Sequence, residues 1–482
     1  MEHALELALH PGDLATLTRG LTRTARAVPA AVVWHDTPGH ALAGRALALS
    51  EERGRWRLMA LGPPPGQSWP PGQPAPVLAE ADTPDAMPHA IPDGLVPVAV
   101  LRGWRRGYTA PHGDAPGVVP GVAVTILDGH VRGVASDHPI VRVTLHGPHP
   151  ALADVAVALA GSVRLAVPAA GLAATVLAMA QGTAPTHRLP SDAAIQPGQT
   201  VSDGMAAVIG RLLDMVLHWS REAAIGATPV GVHQMRVATR RLRSAMTIFR
   251  PAACPALDAL GPAVRDMAAR LGAARDWDVF LDGAGAQVVA AFPDDRRVRI
   301  LMGAALRRRA AAYADLRQHL ASPAYRQMAV ALACAAVLRP WDGPGAPPVL
   351  THDIRTFAAA ALDRQAKRAR HGGRGLTDLP IEALHDLRKC CKRLRYAAEF
   401  FLPLYPDRAA RRFLKHLASL QEELGALNDS TAAAGLMAQL GRTERGWAAG
   451  LVVGYMAAAA APSRTRIGGA WRRFRKTPVF WA

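Results

Sequence analysis

His233-Gln-Met-Arg-Val-Ala-Thr-Arg-Arg-Leu-Arg243 recurs later in the chain as His385-Asp-Leu-Arg-Lys-Cys-Cys-Lys-Arg-Leu-Arg395. At a constant offset of 152, His233 matches His385, Arg236 matches Arg388, Arg240 matches Lys392, Arg241 matches Arg393 and Arg243 matches Arg395. Leu242/Leu394, Phe249/Phe401 and Pro251/Pro403 keep that register, and Leu271-Gly-Ala-Ala-Arg-Asp276 has its counterpart in Leu424-Gly-Ala-Leu-Asn-Asp429 at an offset of 153. Such a repeat marks a duplicated structural unit, here about 201–340 and 350–482.

Both stretches carry a helical period. At about 100° per residue, His233, Arg236, Arg240, Arg243 and Thr247 fall on one stripe, and His385, Arg388, Lys392, Arg395 and Glu399 form its equivalent. Met235, Ala238, Leu242, Ala245, Met246 and Phe249 lie opposite, matched by Leu387, Cys390, Leu394, Ala397, Ala398 and Phe401. One face is core and the other is a ladder of cations. Thr228-Pro229 and Thr377-Asp378-Leu-Pro380 supply a polar residue and a proline at each start, the pattern of a capped helix.

The first ladder has no carboxylate three or four residues from any rung, and the second has only Glu382 and Glu399. Cations at that spacing repel one another, so the ladders ask for an external anion. Helical rise sets the rungs about 4.5 to 6 Å apart, which suits successive charges of a linear polymer. Each histidine sits in the first turns, near the positive end of the helix dipole, where its imidazole can donate to a phosphate oxygen. Two other readings remain beside this one. A basic face in an arginine-rich protein is commonly just solvated, although its recurrence in register argues for use. Metal ligation by His233 and His385 is disfavoured by the adjacent arginines and the scarcity of carboxylates.

The formal charge of +18 is unevenly placed. From Val201 onward there are 42 Lys+Arg against 23 Asp+Glu, whereas residues 1–200 hold 14 against 15. The second part is therefore the polyanion-binding candidate. Arginine makes up 51 of the 56 basic residues, in keeping with the Ala/Arg/Gly/Pro-heavy composition of a GC-rich genome. Cys254, Cys334, Cys390 and Cys391 show no CxxC spacing, which disfavours a disulfide framework or zinc site and fits a reducing compartment. The N-terminus lacks a signal-peptide pattern, and the longest uncharged apolar run, Trp447–Ala461, falls short of the roughly 20 residues of a membrane span. A soluble cytoplasmic protein with no membrane partner is expected.

Residues 1–183 read as short strands with turns. Ala31–Trp34, Arg55–Met59, Leu95–Val100, Val122–Ile126 and Ile140–Leu145 are β-rich, and helical pieces follow Pro11 and Pro150. Gly62–Gly72 and Ala110–Pro120 are loops, and residues 184–200, with Pro185, Pro190 and Pro197, read as a linker. Beyond Val201, Ala/Leu/Arg-rich segments broken by proline predict an all-α region. The fold class is α+β in two domains, 1–183 and 201–482.

Four ordered motifs, Val232–Ser244, Leu271–Val279, Leu384–Tyr396 and Leu424–Asp429, resemble the signatures of the CHAD family, the conserved-histidine α-helical domain. The likeness runs over about 200–482 and takes in Trp471-Arg-Arg-Phe-Arg-Lys476. It implies two pseudo-symmetric four-helix bundles, a basic surface that binds inorganic polyphosphate, and recruitment to polyphosphate granules with their associated proteins. By position, His233, Arg236, Arg240, Arg243, His385, Arg388, Lys392 and Arg395 take the binding role, joined by the neighbouring Arg241, Lys389 and Arg393.

Residues 1–183 resemble in outline the CYTH domain, an antiparallel β-rich triphosphate tunnel. The cues are Leu5-Glu-Leu-Ala-Leu, His35-Asp36-Thr37-Pro38, Arg55-Trp56 and Leu127-Asp128-Gly129. The residues that the CYTH likeness assigns to metal and phosphate are missing. The E-x-E-x-K pattern reads Ala4, Glu6 and Ala8; a pair of arginines is Ala48 and Ser50; a lysine is Leu61. An acidic strand reads Arg142, Thr144 and His146, and a Ser-Lys pair is Gly171-Leu172. Without those carboxylates, two-metal hydrolysis has no metal site. Glu6, Arg45, Arg102, Arg105 and Arg106 are read as structural remnants. The expectation is a catalytically silent tunnel joined to a non-enzymatic polyphosphate binder with no cofactor and no resident metal. The alternatives are a CYTH-type triphosphatase and a nucleic-acid-binding protein; the latter is weakened by the lack of aromatic interleaving other than Tyr396.

Overall fold

The computed structural model describes residues 3–63, 69–110, 121–133, 137–185, 195–252, 254–376, 379–405, 408–441 and 446–481, apart from the side chains of 381, 426, 428–432 and 464. The first half holds β1 (His3–Leu9), α1 (Leu14–Arg19), β2 (Thr22–Arg23), β3 (Val28–Asp36), α2 (Ala41–Gly44), β4 (Leu47–Glu52), β5 (Arg55–Ala60), β6 (Val77–Ala81), β7 (Val96–Ala110), β8 (Val122–Arg132), β9 (Asp137–Gly147), α3 (Ala151–Ser162), β10 (Leu165–Ala166) and α4 (Leu172–Ala180). The strands form one antiparallel sheet in the order β10-β1-β9-β8-β7-β3-β4-β5-β6, with β2 on β7. This β-rich region fits a CYTH-like tunnel fold. Gly103 and Gly129 face each other across β7 and β8, and a Cβ on Gly103 would lie 2.1 Å from the Asp128 carbonyl oxygen, so that approach needs glycine.

The period of two along the strands sends alternate residues to two different cores. Leu5, Leu7 and Leu9 on β1, with Val143 and Leu145 on β9, face α3 and the helical half. Ala30, Val32 and Trp34 on β3, Ala48 on β4, and Leu101 on β7 face inward, where α4 covers them with Ala173 and Val176. Leu61 and Leu172, two positions that the CYTH likeness assigns to phosphate-binding groups, pack on this same apolar interior. Glu6 and Arg142 are nearly fully buried, and Arg142 Nε stands 3.2 Å from Glu6 Oε1. Arg142 also donates to the Ala170 carbonyl and the Thr175 hydroxyl. Burial raises the Glu6 carboxyl above its usual range, with Arg142 opposing, and burial lowers the Arg142 guanidinium.

The second half is helical: α5 (Val201–Ile225), α6 (Pro229–Ile248), α7 (Pro255–Asp258), α8 (Gly261–Phe280), α9 (Ala286–Ala291), α10 (Arg296–Ala321), α11 (Pro323–Leu338), α12 (Ile354–Gly372), α13 (Ile381–Phe401), α14 (Arg408–Ala438) and α15 (Trp447–Lys476). Starts are fixed by side chains that accept from orphan backbone N–H groups. Thr200 and Asp203 make a reciprocal capping box on α5, and Asp295, Ser322 and Asp353 cap α10, α11 and α12. α6 departs from expectation: Pro229 opens it, but Thr228 makes no capping bond, while Thr377 and Asp378 before α13 lie outside the described residues.

The two halves share one apolar core. Ala-rich faces of α3 and α11 lie together, with Ala156, Ala160, Ala329 and Ala333 almost fully buried, and Arg326 Nε donates to the Ala160 carbonyl at 3.2 Å. Ile195 is buried and Thr200 caps α5; residues 186–194 of the expected linker lie outside the described residues.

Breaking the buried Glu6–Arg142 pair should be costly. Glu6→Leu alone, which strands the Arg142 charge, is expected to lower unfolding free energy in urea by about 3–5 kcal/mol, whereas the Glu6→Leu/Arg142→Leu double variant should recover most of that loss. Equal destabilisation of the single and double variants would refute a compensating pair.

Candidate functional site

The core face expected of the repeated helices is present. Met235, Ala238, Leu242 and Ala245 on α6, Phe249 at its C-cap, and Leu387, Leu394, Ala397, Ala398 and Phe401 on α13 are buried almost completely. One expectation is corrected: Cys391, not Cys390, occupies the core of α13; the two lie about 50° to either side of the line through Leu387 and Leu394, and packing buries Cys391. Phe249 and its repeat partner Phe401 touch edge to face at 6.1 Å, and Phe357 of α12 stacks on Phe249 at 5.3 Å. These rings lock the two copies at the ends of α6 and α13, where both helices run into a 3-10 turn at Pro251 and Pro403.

A second apolar cluster joins the copies elsewhere. Trp277, Phe280, Val298 and Leu301 from the first copy pack with Leu436, Met437 and Val452 from α14 and α15. A cavity of about 500 Å³ adjoins this second cluster. Arg236 and Arg240 of α6 and Arg388 and Lys392 of α13 line it, so the two ladders open onto one space. Asp276 is its carboxylate among the described lining residues. The far wall is apolar: Val279, Phe280 and Ala284 from α8 and the π-helical turn Leu281–Gly285, with Leu436 and Met456 opposite.

The ladders are better compensated than their sequence suggests, and tertiary contacts are the reason. Arg236 Nη2 lies 3.3 Å from Asp276 Oδ1. Arg240 donates to the Tyr396 hydroxyl, with its guanidinium 5.7 Å from the ring centre. Arg241 bonds Glu399, whose other oxygen accepts from Arg395 Nε at 2.7 Å. Arg395 Nη1 also reaches Gln421 Oε1 at 3.4 Å. Lys389 pairs with Asp386 at 3.0 Å and is exposed, as is Arg393. His385 is exposed on the same helix, outside the residues that line the cavity.

Arg243 has no carboxylate beside it among the described residues. Burial, then Arg265 and Arg393, hold its guanidinium below the usual range. His233 is exposed at the start of α6, and desolvation followed by Arg275, Arg236 and Arg240 holds its imidazole below the ordinary histidine range. Burial likewise lowers Arg236, with Asp276 opposing. The result is a half-buried concentration of positive charge that gains most from an entering anion.

Sequence reasoning missed Asp276 and Arg275 as parts of the site, and although it placed Glu399 on the stripe and noted Tyr396, it did not pair them with Arg241 and Arg240. The repeated Leu-Gly-Ala-Ala-Arg-Asp motif was the available signal for Arg275 and Asp276, since it places both on the helix facing the ladder. Its counterparts Asn428 and Asp429 have side chains outside those described. Among the described residues no three His, Cys, Asp or Glu side chains form a group fit for a metal ion, and no helix is long and apolar enough to cross a membrane.

Residues 207–438 match the CHAD domain family. The crystal structure of the CHAD domain from the plant Ricinus communis is 28% identical, covers 60% of this chain and 96% of its own, and superimposes with a TM-score of 0.53. PptA from Streptomyces chartreusis is 16% identical, covers 57% of this chain and 100% of its own, and has a TM-score of 0.43. No curated protein gives a significant match. With the duplicated helices, the four ordered motifs and the bundle architecture in agreement, the chain carries a CHAD domain behind its β-rich N-terminal region.

Proposed function

We propose that this protein binds inorganic polyphosphate, without turning it over, in the cavity between the two copies, and that this binding carries it to polyphosphate granules. The observation that carries the reading is the convergence of Arg236 and Arg240 with Arg388 and Lys392 on one space. Cations from both copies face each other there, so a linear phosphate chain can be held from two sides. Arginine forks bond phosphate oxygens in pairs, and the exposed imidazole of His233, at the head of α6 and outside the residues that line the cavity, adds a donor for a chain that extends beyond it. A nucleic acid is less well served, because Tyr396 is already occupied by Arg240 rather than free to stack on a base.

Two features support a silent first half. The Glu6 carboxylate is committed to Arg142, and the positions that the CYTH likeness assigns to phosphate carry Ala48, Leu61 and Leu172 against an apolar interior. An apolar interior whose buried charges, Glu6 and Arg142, are spent on each other offers a triphosphate little to bind.

Replacing Arg236, Arg240, Arg388 and Lys392 by Glu should weaken polyphosphate binding on the order of a thousandfold, about 1 kcal/mol per contact, with an unchanged circular-dichroism spectrum. Affinity of the unaltered protein should fall with salt at a log–log slope of about −3, near 0.7 for each of four neutralised phosphates. Long polyphosphate should also displace the protein from DNA at matched phosphate and salt; the reverse order of preference would favour nucleic acid.

Burial comes first among the causes that depress His233, but an entering phosphate offsets the added field of Arg275, Arg236 and Arg240, so its pKa rises on binding and a proton is taken up. Affinity should therefore increase as pH falls from 8 toward 5, and calorimetry in buffers of different ionisation enthalpy should register proton uptake that is lost in His233→Ala. Finally, triphosphatase activity with Mg²⁺ or Mn²⁺ should be at background; robust turnover abolished by Glu6→Gln would overturn the silent-tunnel reading.

A further inference from the structure

A second and larger basic concavity, about 1020 Å³, lies away from the first, between the C-terminal end of α12, the loop that follows it and the end of α15. Arg364, Lys367, Arg368, Arg370, Arg374 and Arg475 line it. Among the described lining residues its one acid is Asp363, whose Oδ1 already accepts the Trp481 indole N–H at 2.8 Å. Among the described residues none of the six cations has an ion-pair partner, and Arg370 Nε is buried without an acceptor. Several arginines elsewhere in the chain do have carboxylate partners. Arg55 pairs with Asp82, Arg164 with Asp13, Arg270 with Asp266 and Asp315, and Arg297 with Asp295.

The concavity is also built rather than incidental. Trp471 forms part of its wall, and Gly373 lies flush on the indole: a Cβ there would come within 2.3 Å of the ring. Only glycine lets the loop settle at that depth, which fixes Arg374 and the end of α12 around the space. Helix C-termini account for some of the charge, since Arg370 and Arg475 lie in last turns, but Arg364, Lys367 and Arg368 are set further back along α12. Cys390 of α13 reaches this concavity, whereas Arg388 and Lys392 of the same helix reach the first. The exposed edge of α13 between them carries Lys389 and Arg393. A cationic path thus runs over α13 from one concavity to the other.

We infer that the concavity lined by Arg364, Lys367, Arg368, Arg370, Arg374 and Arg475 is a second phosphate-chain site, and that a long chain crosses α13 to occupy both sites at once. The choice of a phosphate chain as ligand rests on the function proposed for the first cavity. Short chains fill the two sites independently, while long chains gain from linkage of the two binding events.

Isothermal titration of the full chain with tripolyphosphate tests this, using R364E/R368E/R374E and R236E/R240E/R388E/K392E. The expected result is two binding events for the unaltered protein and one for each variant. For long polyphosphate, R364E/R368E/R374E should lose affinity by at least tenfold, and roughly 10² through lost avidity. An unchanged stoichiometry in R364E/R368E/R374E, or loss of all binding in R236E/R240E/R388E/K392E, overturns the second site and leaves the first standing. Loss of all binding in R364E/R368E/R374E with none in R236E/R240E/R388E/K392E keeps the second site and refutes the first. No binding by the unaltered protein refutes both. All three altered arginines are exposed, and R364Q/R368Q/R374Q with matched thermal unfolding guards against a misfolded variant.

Discussion

Four cations from two helices around one cavity repel one another, and the helical half is arranged to hold them there regardless. Apolar contacts supply the force. The Phe249–Phe357–Phe401 cluster clamps α6, α12 and α13, and the cluster around Trp277, Phe280, Leu436 and Val452 ties α8 and α10 to α14 and α15. Between those attachments the copies do not close, and the cavity is the remaining gap. Asp276, Tyr396 and Glu399 temper the charge without cancelling it. Aromatic pairs each contribute on the order of 1 kcal/mol beyond the area they bury, enough collectively to outweigh partly screened repulsion between half-exposed guanidiniums.

The β-rich half answers the same problem in the opposite way. Four of its charged remnants are consumed internally: Glu6 with Arg142, Arg105 with Glu52, Arg106 with Asp128, and Arg45 with a backbone carbonyl. One face of its sheet is continuous with the helical core through α3 and α11. The sheet therefore acts as a foundation for α5 and α11, and these in turn support α6.

Much of this was legible in the sequence because duplication doubles a weak signal. The period of α6 and α13, most of their core residues, the four ladder cations that line the cavity, and the β-rich first half followed from local pattern. Strands β1, β4 and β6 and helix α4 were not assigned as elements, for they are short and their alternation is interrupted by small residues such as Ala4, Ala8 and Ala48. Compensation of the ladders was illegible in a different sense. Asp276 and Glu399 reach Arg236 and Arg241 across helices far apart in the chain, and no local spacing rule reports such contacts. Cys390 and Cys391 show the limit of periodicity: adjacent residues differ by one step around the helix, and only packing decides which is inside.

Two contacts between α6 and α13 run from the first copy to the second. Arg240 and Arg241 of the first copy reach Tyr396 and Glu399 of the second, yet the positions equivalent to these acceptors are Ser244 and Thr247. Those two hydroxyls turn back to their own helix and bond the carbonyls of Arg240 and Arg243. In a dimer of identical chains every such contact would occur twice, because a twofold axis obliges residue i to meet j and j to meet i. Fusion of the copies into one polypeptide removes that obligation. The second copy supplies both acceptors of this clasp, and their counterparts in the first are left to bond their own helix.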